Sequence, residues 1–424
     1  MSAVKEINKD IVIIGAGPAG LAAAVAAYDD GVTDIVVLER DDYAGGILNQ
    51  CVHNGFGLHT FNEELTGPEY AARFCDKALS RGVEIKFQTT VLSVGSDRSV
   101  TAASPDGLVK YRAGAVIFAC GCRERPRGAI GIAGTRPAGV FSAGTAQRLI
   151  NIDGEHIGDD VFILGSGDIG LIMARRMTFE GARVKGVAEL MPYSSGLKRN
   201  IAQCLDDFGI PLMLSTTVVE IRGRERISSV VVAQVDERKR PIPSTAREIE
   251  CDTLLLSVGL LPENELARSA SVSMCGVTGG ANVDDTFMTN VDGVFMCGNC
   301  LHVHDLVDYV SAESAACGRA AAGYVKRGSA NKGFVNVETS GGVRYCVPQR
   351  ISRDGSGRLT LRMRVDNVYR RCKLKVCADG VDVCVKPRPI VAPGEMETLE
   401  LDETVSDRLR HAERAEIKLE GGAE

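Results

Sequence analysis

Two glycine-rich stretches hold the residue pattern with the clearest chemical use. Asp10-Ile-Val-Ile-Ile-Gly15-Ala-Gly17-Pro18-Ala19-Gly20 returns 150 residues later as Asp160-Val-Phe-Ile-Leu-Gly165-Ser-Gly167-Asp168-Ile169-Gly170. Each copy runs into an apolar stretch and a second β-type run, Ile35 to Leu38 or Val184 to Ala188. Each then places an acid, Glu39 or Glu189, 19 residues beyond its third glycine. The pattern suits a nucleotide pyrophosphate. The first glycine allows a tight turn, the second lets backbone approach the phosphates, and the third lets helix and strand pack closely. The helix start offers free N–H groups and a positive dipole end, and the acid accepts a hydrogen bond from a ribose hydroxyl. One such turn is a weak signal. Two, with strand, helix and acid at equal spacing, imply two dinucleotide sites.

The elements that position these residues follow from pattern. Ile11 to Ile14 is a β-branched run that predicts a strand, and the alanine-rich sequence after Gly20 predicts a helix. The eighteen uncharged residues from Ile11 to Tyr28 approach the length of a membrane span. Gly15, Gly17, Pro18 and Gly20 break that segment, so no span is expected. The chain has 424 residues, 45% apolar and 25% charged, which predicts a folded protein of several domains. A net charge of −6 argues against a nucleic-acid partner and against general attraction to membranes. Fourteen cysteines with no secretory leader predict a reduced, cytoplasmic protein rather than a disulfide scaffold.

With Gly45-Gly46 following Glu39-Arg40, residues 8–325 resemble the flavoprotein oxidoreductases with two dinucleotide-binding domains. The resemblance implies an α/β fold of two Rossmann-like domains. An FAD-binding domain (1–122 and 263–330) would be interrupted by an NAD(P)-binding domain (123–262). It implies FAD at Gly15, Gly17, Pro18, Ala19, Gly20, Glu39, Arg40, Gly45, Gly46 and Val91. Val116-Ile-Phe-Ala-Cys120-Gly121 looks like the strand and turn that leave the FAD domain, and Leu254-Leu-Leu-Ser-Val-Gly259 like the return. Thr289-Asn-Val-Asp-Gly-Val-Phe-Met-Cys-Gly298-Asn299 looks like the late FAD motif, with Asn299 where an acid usually meets the ribityl chain. An amide still hydrogen-bonds a hydroxyl. NAD would lie at Gly165, Gly167, Asp168, Ile169, Gly170 and Glu189. The Glu189 carboxylate favours NAD over NADP, because it repels a 2′-phosphate and Lys198 and Arg199 lie too far downstream to offset it.

Many proteins of this kind reduce disulfides with a cysteine pair beside the flavin. Here the stretch after Gly45-Gly46 has Cys51 alone, and the second domain only Cys204 and Cys251. Cys297-Gly-Asn-Cys300 crosses the late motif, where cysteine serves as a small buried hydrophobe, as do Cys120 and Cys122. A disulfide reductase is not expected. Cys346, Cys372, Cys377 and Cys384 match no common ligand spacing, and Cys384 alternates with Val381, Val383 and Val385, so no metal site is expected. His302 and His304 precede an alanine-rich helix over residues 306–325. By the resemblance, its N-terminus faces the flavin's pyrimidine edge, where His304 would assist the dipole as negative charge collects on reduction. Cys51 and His53 would approach the ring from the other side. The plainer role of all three is packing and capping, since hydride transfer depends chiefly on stacking geometry.

Three further stretches, Cys120-Gly-Cys-Arg123-Glu124-Arg125-Pro126-Arg127, Gly134-Thr-Arg-Pro137 and Cys297-Gly-Asn-Cys-Leu-His-Val-His-Asp305, narrow the resemblance. They are similar to the small flavoprotein subunits of opine oxidases, dye-linked proline dehydrogenase and hydrogen cyanide synthase. Closer still are the oxidoreductases that accompany anaerobic glycerol-3-phosphate or 2-hydroxyglutarate dehydrogenases. This implies a companion dehydrogenase subunit, or a homo-oligomer. The companion would oxidise glycerol 3-phosphate or a 2-hydroxy acid while this chain exchanges electrons with NAD(H). The rival readings are a thiol-linked flavin reductase and a flavin-bearing assembly subunit inactive alone. Beyond residue 330, glycine-punctuated runs such as Leu359 to Val365 and Leu374 to Cys377 predict a C-terminal β-sandwich (335–424). Residues 341–390 hold 12 Lys/Arg against 4 Asp/Glu, and residues 391–424 hold 4 against 10. That is either a basic face for an acidic partner or a solvated sheet beside an acidic tail.

Overall fold

The computed structural model describes residues 5–328 and 333–421. The chain ends and the expected boundary at 330 lie outside the described residues. The chain divides into two compact units, residues 1–122 with 262–424, and residues 123–261.

The first unit is organised by the strand Lys5–Ile14, whose last four residues are buried. A β-branched run buried on both faces is what a central parallel strand requires. It pairs in parallel with Ile35–Leu38 on one side and Gly107–Phe118 on the other. Gly107–Phe118 pairs antiparallel with Ser99–Ser104 along its first half and parallel with Val294–Met296 along its last. The chain's direction of travel across the sheet reverses at Lys5–Ile14, and the crevice at its C-terminal end is where open α/β sheets bind ligands. The helix Pro18–Asp29 starts at that point, with Gly17 as its N-cap and Pro18 fixing its first turn. The long helix Val307–Arg327 packs against it. Their approach depends on Gly318, where a Cβ would sit 2.1 Å from the Ala23 carbonyl oxygen.

The C-terminal residues belong to the same unit and form the sandwich. A five-stranded sheet has Ala415–Glu420 at its centre, parallel to Phe334–Ser340 and antiparallel to Tyr369–Ala378. A three-stranded antiparallel sheet joins Val343–Val347, Leu359–Val365 and Glu397–Leu401. Leu361, Met363, Leu374, Val376 and Leu399, drawn from both sheets, share one core. A helix, Glu403–His411, is added, with the Asp402 carboxylate accepting from the Val405 N–H. In the edge strand Val381–Val391, Val381 and Val385 are exposed, while Val383 and Cys384 are both half-buried against the core. At the two exposed positions valine reports the preference of β-branched side chains for extended backbone rather than burial.

In the second unit five parallel strands run in the order Val140–Ser142, Thr253–Leu256, Asp160–Leu164, Arg183–Ala188, Leu212–Met213. Asp160–Leu164 is again central, and the helix Asp168–Phe179 follows it. A mainly antiparallel four-stranded sheet includes Thr216–Gly223, Ile227–Gln234 and Arg247–Glu250. Among the described residues no helix is long and apolar enough to cross a membrane, and Ile11 to Tyr28 is a strand, a turn and a helix.

Candidate dinucleotide sites

The two glycine turns are one structure built twice. Gly15 and Gly165 have φ of +104° and +102°, a region open to glycine at no steric cost. Their N–H groups donate to the carbonyls of Leu38 and Ala188 at 2.9 and 2.7 Å. Glu39 Oε2 accepts from the Ala16 N–H (2.7 Å) and its Oε1 from the Asp41 N–H (3.0 Å). Glu189 Oε2 accepts from the Ser166 N–H (3.0 Å) and hydroxyl (2.6 Å), and its Oε1 from the Met191 N–H (2.9 Å). Each backbone partner in one turn is matched 150 residues on in the other. A carboxylate has about four lone-pair sites, so both acids keep acceptor capacity for a ribose.

Room is left where phosphates must come. A Cβ on Gly17, Gly121 or Gly259 would meet nothing within 4 Å. Neither N-cap, Gly17 or Gly167, carries a capping side chain; the Ser257 hydroxyl takes the Gly170 N–H (3.1 Å), and the remaining first-turn N–H groups can receive an anion. Gly45 donates to the Ala16 carbonyl at 2.8 Å, and a Cβ on Gly46 would lie 3.1 Å from Gly17 Cα, so the glycine pair lines the first turn. Gly298 meets the same helix, since a Cβ there would be 2.7 Å from that of Ala19. The residues present fit a dinucleotide at each turn.

Asn299 Oδ1 accepts from the His304 N–H at 3.0 Å, with His304 Nδ1 at 3.4 Å. This fixes the amide with its oxygen toward His304, so its NH₂ is a donor where the family's acid would accept. Arg40 is exposed, Val91 is half-buried in Thr90–Val94, and Ile169 is half-buried in the first turn of its helix. His53 is half-buried, with its ring 5.0 Å from that of Phe56. The Cys51 thiol donates to the Ile47 carbonyl (3.3 Å), and burial pushes it up to about 12, as it does those of Cys120 and Cys122. Cys297 and Cys300 are fully buried. Thiols held protonated are poor nucleophiles.

After Glu189 the chain folds back onto its own turn. Gly196 N–H donates to the Ser166 carbonyl (3.0 Å), while Asp168 Oδ1 accepts from the Leu197 N–H (2.8 Å) and Asn200 Nδ2 (2.7 Å). Asp168 therefore anchors this loop. Spacing alone places Lys198 and Arg199 out of reach, but the fold-back brings Lys198–Cys204 against the helix that starts at Asp168.

Several buried groups have no counterpart among the sequence candidates. Asp308 accepts from the Gly57 N–H (3.1 Å) and Thr60 N–H (2.8 Å), tying the loop after Cys51 and His53 to the start of the long helix. Glu313, on the same helix and 0% exposed, accepts at Oε1 from the Gly298 N–H (3.1 Å). Its Oε2 lies 2.7 Å from His302 Nε2, 3.3 Å from His304 Nε2 and 3.5 Å from Arg362 Nη1. Burial opposes its charge, yet the imidazoles of His304 and His302 hold its carboxyl well below the usual range. The signal for Glu313 in the sequence is only a lone acid in an alanine-rich stretch. Burial draws His302 down to about 4 from 6.5, against the pull of Glu313.

The His302 shift sets an acid dependence. The folded chain keeps His302 neutral while the unfolded chain protonates near pH 6.5, so stability is full above that value and falls as pH drops toward about 4. Glu313 adds to the loss below its ordinary 4.5. Between pH 7 and 5 the His302 contribution is about 2 kcal/mol. It should be read as a fall in Tm whose pH slope flattens in His302→Asn.

Over residues 9–321 the chain matches the model of the pyridine nucleotide-disulphide oxidoreductases, and it belongs to that family, whose members use FAD and NAD(P)H. Within it, the thioredoxin reductase of Treponema pallidum is 26% identical over 326 residues, 76% of this chain and 98% of that protein. One of the opine oxidase subunits of Agrobacterium tumefaciens is 25% identical over 284 residues, 62% of this chain but only 55% of that protein. Thioredoxin reductase of T. acidophilum shares the fold, with a TM-score of 0.61 over 76% of this chain and 99% of that one at 24% identity. Residues after 321, including the sandwich, fall outside the family match.

Proposed function

We propose that this chain carries electrons between NAD(H), held at Gly165 to Gly170 and Glu189, and FAD, held at Gly15 to Gly20, Glu39 and the Gly298-Asn299 motif. Residues 1–122 and 263–330 would then form the FAD domain and 123–262 the NAD domain. The duplicated turn with its buried acid carries the reading. FAD supplies a two-electron acceptor for hydride. The chain's residues bind and orient: the glycine turns receive pyrophosphates, Glu39 and Glu189 take ribose hydroxyls, and Asn299 donates its amide. Glu189 favours NADH, its carboxylate being held by the Ser166 and Met191 N–H groups where a 2′-phosphate would come.

The thiols do not take part in this reading, since Cys51 is kept protonated by burial and Cys300 is raised further. All fourteen cysteines are free, which suits the cytoplasm. The similarity to one of the opine oxidase subunits supports a companion subunit, which in this reading oxidises glycerol 3-phosphate or a 2-hydroxy acid.

The test is an anaerobic visible spectrum of the purified chain before and after NADH and, separately, NADPH. The expected result is a flavin band bleached by NADH at lower concentration than by NADPH. A flavin band indifferent to both would favour an assembly subunit inactive alone. A colourless chain that takes up no added FAD would overturn the proposal.

A further inference from the structure

The strand Leu359–Val365 alternates strictly. Leu359, Leu361, Met363 and Val365 point into the sandwich core, so Arg362 and Arg364 stand on its outer face. That face is not in solvent. Arg364 donates to the Val303 carbonyl (3.1 Å) and to the Asp305 carboxylate. Asp305 Oδ2 also accepts from the Met396 N–H at 2.7 Å. Arg362 reaches Glu313 from the same side. Residues 302–305 are thus clamped between the long helix and the sandwich, immediately after the Gly298-Asn299 motif.

His302, His304 and Glu313 offer ligand atoms within 4.8 Å of one another, a grouping that could in principle hold a metal ion. The geometry is that of a hydrogen-bonded hub instead. The 2.7 Å between His302 Nε2 and Glu313 Oε2 is a hydrogen bond, shorter than the roughly 3.3 Å between two ligands at ~2.0 Å on a tetrahedral ion. The Arg362 guanidinium already supplies a positive charge opposite the carboxylate.

We propose that Arg362 is a positioning residue for the FAD site, acting through Glu313 on Gly298, His304 and Asn299. This rests on the reading that FAD lies at the first glycine turn and Asn299. A carboxylate as buried as Glu313 is retained only with its charge balanced and its oxygens hydrogen-bonded. With Arg362 in place, Glu313 holds the Gly298 N–H and the His302 imidazole, with His304 Nε2 3.3 Å from the same oxygen. His304, so held, donates its N–H to Asn299 Oδ1 and turns the amide NH₂ to the other side. The sandwich is then part of the flavin site's frame, not a separable docking module.

The test uses the full chain, stripped of flavin and titrated with FAD by quenching of flavin fluorescence, with visible circular dichroism of the bound form. Arg362→Met should leave the competent arrangement in about one molecule in ten, weakening FAD binding on the order of tenfold and altering the flavin dichroism. Arg362→Lys should recover most of the affinity, which loss of packing alone would not explain. Glu313→Gln, which keeps the side chain's shape, should weaken binding in the same direction and carries the test if Arg362→Met fails to fold. FAD affinity within twofold of wild type and an unchanged dichroism in Glu313→Gln, or in both variants, would overturn the proposal. A wild-type chain that takes up no FAD overturns the functional reading first and this inference with it.

Discussion

Gly20→Val should give a chain that holds no FAD, and Gly170→Val a chain that keeps its FAD but is no longer reduced by NADH. A Cβ at Gly20 would lie 1.9 Å from the Gly15 oxygen, and one at Gly170 2.4 Å from the Gly165 oxygen. Neither obstacle is a side chain that can rotate away, so the turn itself must move. The turn is also what presents Ala16 N–H to Glu39, or Ser166 N–H to Glu189. Overpacking costs about 3 kcal/mol at the upper end of its usual range, or roughly a hundredfold in affinity if it falls on the bound state. Flavin retained after gel filtration and anaerobic bleaching by NADH read the two sites separately. Identical phenotypes in the two variants would contradict the assignment of one cofactor to each turn.

Arg410→Met should lower the unfolding free energy by about 3–5 kcal/mol, the usual cost of leaving one member of a buried ion pair without its partner. Arg410 is 2% exposed and Asp285 7%, with Nη2 to Oδ2 at 3.1 Å. Arg410 Nη1 also donates to the Gly357 carbonyl at 3.0 Å, while Asp285 Oδ1 accepts from the Ser352 N–H at 2.8 Å. Burial already pushes the Asp285 carboxyl upward against the pull of Ser352 and Arg410, so loss of Arg410 would push it further up. Asp285→Asn in the Arg410→Met background should recover part of the loss. Urea unfolding followed by far-ultraviolet dichroism measures both.

What was legible in the sequence was what backbone geometry demands. A turn with φ near +104° needs glycine at Gly15, and the helix start that closes onto that turn needs Gly20, so the motif and its spacing survive in the letters, whereas nothing in the pattern singles out Gly318, where two helices touch. Ile11 to Ile14 announced a buried strand because its side chains must be apolar on both faces. The hub around Glu313 carries no such signature. Arg362 lies 49 residues from Glu313, and Arg410 lies 125 from Asp285, so no local period links either pair. The alternation of Leu359–Val365 puts Arg362 and Arg364 on the outer face, but it carries no record of what that face meets. The position of Lys198 escaped for a related reason: distance along a chain is a poor guide once Asp168 ties Leu197 back to the turn.

The flanks of the second unit are joined directly, the Glu263 N–H donating to the Gly121 carbonyl at 3.0 Å. The intervening segment is thus spliced into the first unit at essentially a single point, like a cassette. Because the entropy of closing a loop grows only with the logarithm of its length, the first unit bears little extra penalty for the size of what is inserted there. An insert can be exchanged or lengthened while Gly121 and Glu263 stay where they are, so on the proposed assignment nucleotide preference could diversify without rebuilding the sheet that carries Gly15 and Glu39.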